Sequence, residues 1–239
     1  ISCSLVGSEM CIRDRMQSLE YARSFLAARI LLDKINANMI ISGAFGLFEK
    51  KTVIAVGGYD NSTMGEDMEL VVRLHEFSRM NRKPYKIDFA QDAICWSQTP
   101  EKLSELGKQR KRWQRGLFQC MWGHRKMLAN PRYGAVGLLS YLYFLLYELL
   151  SPFIELLGVL TMVLSVMMDM LNVKFMLVFL AYYALYGILL TLTAYFSRIY
   201  TIDQRFSFRE LILAITACFF ETTFLRFYLE FVRVTAFVG

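Results

Sequence analysis

The chain has 239 residues, of which 55% are hydrophobic and 15% aromatic, with a formal charge of +6. That length allows one large domain or two small ones, and the composition is too apolar for a disordered or an ordinary soluble chain. Five cysteines without paired spacing and only two histidines exclude a zinc site by the usual spacing rules and fit a reducing, cytosolic setting.

Residues 1–15 read ISCSLVGSEMCIRDR, with no helical or strand period and no signal-peptide layout. The stretch SLVGSEMCIRDR resembles translated sequencing-adapter peptides. Residues 1–15 are therefore set aside as non-native, the natural sequence being expected from near Met16 with upstream sequence missing. The other reading is a disordered native N-terminus.

Gln17 to Leu32 is expected to be helical, with Leu19, Ala22, Leu26 and Ile30 on one face. Asn36 to Phe48, small and apolar with Gly43 and Gly46, is a strand or a loop at close backbone approach. Lys51 to Val56 predicts a helical turn, and Gly57-Gly58-Tyr59-Asp60 a reverse turn. Asn61-Ser62-Thr63 matches a glycosylation sequon, which has no meaning in a cytosolic bacterial domain. Met64 to Phe77 predicts a helix burying Met64, Met68, Val71 and His75, with Glu69 and Arg73 as an i,i+4 pair. Glu66 and Asp67 fall in its first turn, where the helix dipole favours carboxylates. Pro84 to Phe89 predicts a strand, and Ala93 to Trp96 an extension of the sheet. Thr99 as N-cap and Pro100 at the first helical position predict a long helix to about Leu128, ended by Asn130-Pro131.

Most of the charge lies before Tyr133, and the long uncharged runs follow it. This indicates a polar domain, residues 16–133, followed by a membrane region, residues 134–239. Gly134 to Met168 is broken by Pro152. It reads as an interfacial helix to about Ser151, then a span to about Met168. Glu148 and Glu155, seven apart, share a helix face; they look into a cavity or protein interior, or sit at headgroup depth. Phe175 to Ser197 is uncharged over roughly 23 positions, against the ~20 that cross a bilayer. Leu211 to Phe224 opens a third apolar segment, interrupted by Glu221, Arg226, Glu230 and Arg233. The basic stretch Lys108 to Arg132 reads first as a positive-inside signal; Arg198, Arg205 and Arg209 precede the third segment while the Asp169 to Lys174 connection is weakly charged, which places the polar domain and the 198–210 loop on the cytosolic side. Charge alone does not choose between lipid, nucleotide phosphates and nucleic acid as its partner.

Two segments carry chemistry. Gly65-Glu66-Asp67 stands at a turn-to-helix junction. Gln109-Arg110-Lys111-Arg112-Trp113 lies in the long basic helix, where positions 109, 112 and 113 share a face. An amide, a guanidinium and an indole so placed are able to hydrogen-bond, neutralise phosphate and stack on a sugar ring.

In this order, ahead of apolar helices, the two segments resemble the processive family 2 glycosyltransferases, which include cellulose, poly-N-acetylglucosamine and hyaluronan synthases. Those enzymes carry a "TED"-type motif followed by Q-x-x-R-W. Gln109, Arg112 and Trp113 keep the second motif, and Glu66 and Asp67 keep the acidic pair. Gly65 stands where the family usually has threonine. Ser42-Gly43-Ala44 lies where such enzymes carry a small-residue acceptor loop, a looser match.

The resemblance implies an α/β C-terminal half of a GT-A-type glycosyltransferase domain, followed by an α-helical transmembrane region. It implies a hexosyl- or N-acetylhexosaminyltransferase that inverts configuration as it moves a sugar from a nucleotide-diphosphate donor to a glycan acceptor. Asp67 would be the general base and Glu66 would position its loop. Gln109 and Arg112 would contact the donor diphosphate. Trp113, Ser42 and Gly43 would meet the acceptor, while Arg110 and Lys111 would point to lipid or phosphate. Family members hold Mg2+ or Mn2+ on an Asp-x-Asp in an upstream donor-binding half. No Asp-x-Asp occurs here, so the metal ligands are expected outside this chain and the chain alone is expected to be inactive. Implied partners are the nucleotide-sugar donor, the glycan acceptor, the lipid bilayer and accessory polysaccharide-export subunits. The implied location is the bacterial inner membrane, multi-pass, with the catalytic part cytosolic.

The alternative is a non-catalytic membrane-anchored interaction or scaffold protein, in which Asp67 and Trp113 need not share a site. A nucleic-acid binder using Lys108 to Lys126 would show a strong salt dependence. Apolar helices so close behind argue against it, and no nucleic-acid partner is expected.

Overall fold

The computed structural model describes residues 2–5, 29–43, 45–90, 94–97, 100, 102–202, 212, 215–216, 219–220 and 224–237. Most of these are helical. Their one sheet is a parallel pair, β1 (Ser2–Leu5) beside β2 (Ile94–Ser97), with Ser2 opposite Ile94 and Leu5 opposite Ser97. Among the described residues these two short strands are the whole sheet, which does not confirm the expected α/β GT-A domain. One of them lies in the segment 1–15, where the sequence has no strand period.

Helix α1 (Arg29–Lys34) continues the predicted 17–32 helix, whose earlier residues lie outside the described ones. Asn36 to Phe48 is a loop, followed by α2 (Lys50–Ala55). Gly57 and Gly58 then take left-handed conformations, φ +92° and +76°, which favour residues without a Cβ. The turn they make presents the Val56 and Gly58 carbonyls to Arg73, whose Nη1 and Nη2 donate to them at 2.7 and 2.8 Å.

Helix α3 (Glu66–Met80) buries Met68, Val71, Val72 and His75. Full burial of such aliphatic side chains contributes about 1.5–3 kcal/mol each. Met64 does not join them as the spacing predicts. It precedes the helix and is exposed, because the chain is still turning into α3 there. The His75 Nε2–H donates to the Asn38 carbonyl at 2.7 Å, its Nδ1 accepts from the Tyr85 hydroxyl at 2.7 Å, and Arg79 Nε donates to that hydroxyl at 3.0 Å. Pro84 to Phe89, predicted as a strand, has no regular secondary structure and pairs with no strand among the described residues. Side chains replace the ladder: the Ile87 amide donates to Asn36 Oδ1, the Phe89 amide to Asp33 Oδ1, and Asn36 Nδ2 donates to the Tyr85 carbonyl.

Helix α4 (Leu103–Gly123) is shorter than predicted at both ends. Lys102, with no side-chain cap bond, precedes it; the predicted cap Thr99 lies outside the described residues. A 3-10 turn at Arg125–Met127 takes up its C-terminal end. Asn130 then accepts from the Arg132 amide, capping a turn at Pro131–Tyr133.

A mostly π-helical stretch, 136–149 with an α-helical turn at Tyr141–Tyr143, leads to α5 (Ser151–Met167), with Pro152 in its first turn as the sequence indicates. The two are bent by 44°. Ser140 Oγ donates to the Ala37 carbonyl at 2.6 Å and the Tyr141 hydroxyl donates to the Met121 carbonyl, fastening this stretch to the polar domain. Helix α6 (Val173–Ile202) follows, then α7 (Arg226–Val234) and a 3-10 turn at Thr235–Phe237. Among the described residues no single helix is long and apolar enough to cross a membrane; the bent pair 136–149 and 151–167 is so jointly, by length and composition. The described apolar part of α6 is Val173–Leu189, shorter than the uncharged run in the sequence, because several side chains beyond it lie outside the described ones. Glu155 and Glu148 look toward protein rather than away from it. Glu155 pairs bidentately with Arg226, and Glu148 lies 3.8 Å from Arg233.

Candidate active site

Three sequence-distant segments converge where α3 begins. The Gly43 amide donates to Asp67 Oδ2 at 3.1 Å, and the Met68 amide donates to Oδ1 at 2.8 Å, so each carboxylate oxygen is oriented by one backbone N–H. A Cβ on Gly43 would stand 3.4 Å from Asp67 Cβ and Oδ2. The small residue of the acceptor-like loop thus lies directly against the acidic motif. Ser42 forms the turn beside it, its carbonyl accepting from the Phe45 amide at 3.1 Å. Glu66 is exposed in the same helical turn.

The acidic motif also meets α4. A Cβ on Gly116 would come within 2.6 Å of the Gly65 nitrogen, and one on Gly65 within 3.1 Å of the Gly116 backbone. The two backbones are in van der Waals contact, which only paired glycines allow without displacement. Threonine at position 65, the family's usual residue, would need α4 to give way. One residue before Gly65, the Met64 amide donates to Gln119 Oε1 at 2.9 Å, a second tie between the acidic motif and α4.

Gln109, Arg112 and Trp113 lie on α4 up to two turns before Gly116. Trp113 is 38% exposed and Arg112 is exposed, while the Gln109 Oε1 is buried with no hydrogen-bond partner among the described residues. Arg110 does not point to lipid or phosphate as expected. It is buried and its guanidinium lies 4.5 Å from the Trp113 ring centre, a cation–π contact that holds the indole from one side. Arg110 and Gly116 are contributors that motif reading misses. The cue for Gly116 was a glycine inside a strong helical pattern, which often marks a close approach.

Behind the motifs, Glu69 is buried and gives Oε2 to Arg73 at 2.6 Å, as the i,i+4 spacing predicts. Its Oε1 faces His124 Nε2 at 3.4 Å, and Glu76 Oε2 meets His124 Nδ1 at 2.7 Å. Burial works against a charge on His124, but the hydrogen bonds and charges of Glu69 and Glu76 outweigh it and hold its pKa above the usual value. Burial pushes the Cys120 thiol well above its usual range, with Glu69 and Asp67 adding to the shift, so this cysteine is an inert packing residue. Among the described residues no group of three or more His, Cys, Asp or Glu is placed to hold a metal ion. The described residues thus offer no ligand set for the divalent cation that the resemblance implies.

The sequence model of the glycosyl transferase family group 2 matches residues 12–228. The chain belongs to this family. A poly-beta-1,6-N-acetyl-D-glucosamine synthase of Staphylococcus aureus (strain COL) is 31% identical to this glycosyltransferase chain over 125 residues, 52% of the chain and 27% of the relative. The synthase of the same name from Staphylococcus epidermidis is 30% identical over the same shares. The match thus takes in about a quarter of the length of these curated relatives. No solved structure matches the chain.

Proposed function

We propose that this glycosyltransferase chain carries the acceptor side of a membrane-bound inverting transferase that extends a polysaccharide from a nucleotide-diphosphate sugar. The observation that carries the reading is the bond from the Gly43 amide to Asp67 Oδ2, at the point where Gly65 seats on Gly116. It joins the acceptor-like loop, the acidic motif and the Q-x-x-R-W helix, which a scaffold has no need to assemble.

Asp67 takes the proton from the acceptor hydroxyl as that oxygen bonds to the donor's anomeric carbon. The carbon–oxygen bond to the diphosphate breaks on the opposite face, and its electron pair leaves with the nucleoside diphosphate. A positioned base of this kind contributes about 10²–10⁴-fold. The two amides on Asp67 hold its carboxylate at a fixed angle, which serves proximity. Glu66, beside it on the rim of α3, positions the loop. Arg112 and Gln109 meet the charge that develops on the diphosphate. Trp113, braced by Arg110, stacks on the acceptor sugar, and Ser42 and Gly43 border it.

The bent apolar pair, with α6, forms the membrane region, and the catalytic part faces the cytosol of a bacterial inner membrane. The many exposed leucines and aromatics of α5 and α6 support a lipid surround. The nucleotide-binding residues and the Mg2+ or Mn2+ ligands belong to other parts of the intact enzyme. The names of the staphylococcal relatives favour an N-acetylhexosamine as the transferred sugar. The test is a transfer assay on membranes holding the intact enzyme, with nucleotide-linked hexose and N-acetylhexosamine donors. Polymer from the N-acetylhexosamine donor is expected. No transfer from any donor would favour the scaffold reading.

A further inference from the structure

The break between the π-helical stretch and α5 frees two carbonyls, and both are taken by side chains bound to one another. Pro152 has no N–H, so the Glu148 carbonyl lacks its helical partner. The Phe153 amide turns to the Leu150 carbonyl at 3.1 Å, which leaves the Leu149 carbonyl open. Arg233 of α7 donates through Nη2 to the Glu148 carbonyl, and Gln114 of α4 donates through Nε2 to the Leu149 carbonyl at 3.1 Å. Arg233 Nε then donates to Gln114 Oε1 at 2.9 Å, and its Nη1 meets Glu230 at 3.2 Å. Gln114 is 2% exposed, so its amide has no water to exchange these partners for.

Gln114 directly follows Trp113. The next residue, Arg115, donates through Nε to the Ala236 carbonyl at 2.6 Å, and the one after, Gly116, seats on Gly65. Three consecutive positions, 100° apart around α4, are thus pinned to the helix break, to the C-terminal turn and to the acidic motif. Trp113 and Arg112 remain exposed. Rotation of α4 about its axis would have to break all three contacts.

We propose that Arg233 is a positioning residue for the acceptor side of the site, setting the rotation of α4, and hence the aim of Trp113, from the break in the apolar helix pair. This rests on the glycosyltransferase reading for its effect on sugar transfer; the effect on the aim of Trp113 does not.

The experiment pairs two readouts on Arg233→Met, Gln114→Met, the double variant and the milder Arg233→Lys, which keeps a charge should Arg233→Met fail to fold. In the intact enzyme, each methionine variant is expected to raise the acceptor KM about fivefold or more, as for a lost hydrogen bond to a charged group. The donor KM stays unchanged, the double variant is no worse than either single, and Arg233→Lys falls between. In the same enzyme with every tryptophan other than Trp113 replaced by phenylalanine, Trp96 and Trp122 among them, acrylamide quenching of Trp113 is expected to change in the methionine variants. Altered quenching in an enzyme that transfers no sugar would leave the positioning intact and remove the proposed function. Unchanged acceptor KM and unchanged quenching in folded variants would overturn the proposal, as would equal losses for donor and acceptor.

Discussion

A Cβ placed on Gly116 would stand 2.6 Å from the backbone nitrogen of Gly65, closer than real Cβ atoms come to backbone. Helices α3 and α4 therefore meet through their main chains, and everything that the acidic motif and the Q-x-x-R-W helix do together depends on that meeting. Gly116→Ala forces the two helices apart and is expected to cost about 1–3 kcal/mol, in the range of overpacked cores. Its transfer activity should fall far more than that of Gly65→Ala, whose Cβ has 3.1 Å to the nearest backbone atom. Thermal melting and transfer rates of the two variants check the ranking.

Trp113→Ala removes the proposed stacking platform and leaves Arg110 without its ring. The acceptor KM is expected to rise roughly 3- to 10-fold, the worth of an aromatic stacking contact, with the donor KM unchanged. Kinetics with varied acceptor at saturating donor measure it, and an unchanged acceptor KM would remove Trp113 from acceptor binding.

His75 is buried and neutral, and burial pushes its pKa down from 6.5 to about 4, with the Asn38 hydrogen bond only partly opposing this. The unfolded chain binds the proton first, so this histidine's contribution is whole above pH 6.5 and is lost as the pH falls toward 4, on the order of 3 kcal/mol. Urea unfolding between pH 7 and 4 should show stability falling across that window. His75→Gln should flatten the slope.

His124 behaves in the opposite sense. Its pKa is held above the usual value by Glu69 and Glu76 against the effect of burial, so its contribution is fully present below pH 6.5 and fades as the pH rises through the raised value. The stability gap between the parent chain and His124→Gln is expected to be widest near pH 6 and to narrow in alkali. A gap that widens with pH would contradict the carboxylate bridge.

How much of this was legible in the sequence depended on the range of the interaction. The first turn of α3, the Glu69–Arg73 pair and the Pro152 break are set by residues within one or two turns, and the spacing predicts all three. The strand expected at Pro84 to Phe89 was misread because Tyr85 and Ile87 alternate as strand residues do, whereas Asp33 and Asn36 supply the hydrogen bonds from far upstream. Asp67 and Trp113 were readable as motif members, since their residue types and order carry the resemblance. The Gly65–Gly116 seat and the grip of Arg233 on Gln114 were not, for both join residues more than 50 positions apart through contacts that no local period records.

The proposed base is Asp67, whose carboxylate the Gly43 and Met68 amides orient. Asp67→Asn in the intact enzyme, assayed in membranes for sugar transfer and separately for nucleotide binding, addresses it directly. Transfer is expected to fall by about 10²–10⁴-fold while nucleotide binding stays near the parent value. Near-normal turnover in Asp67→Asn would contradict it.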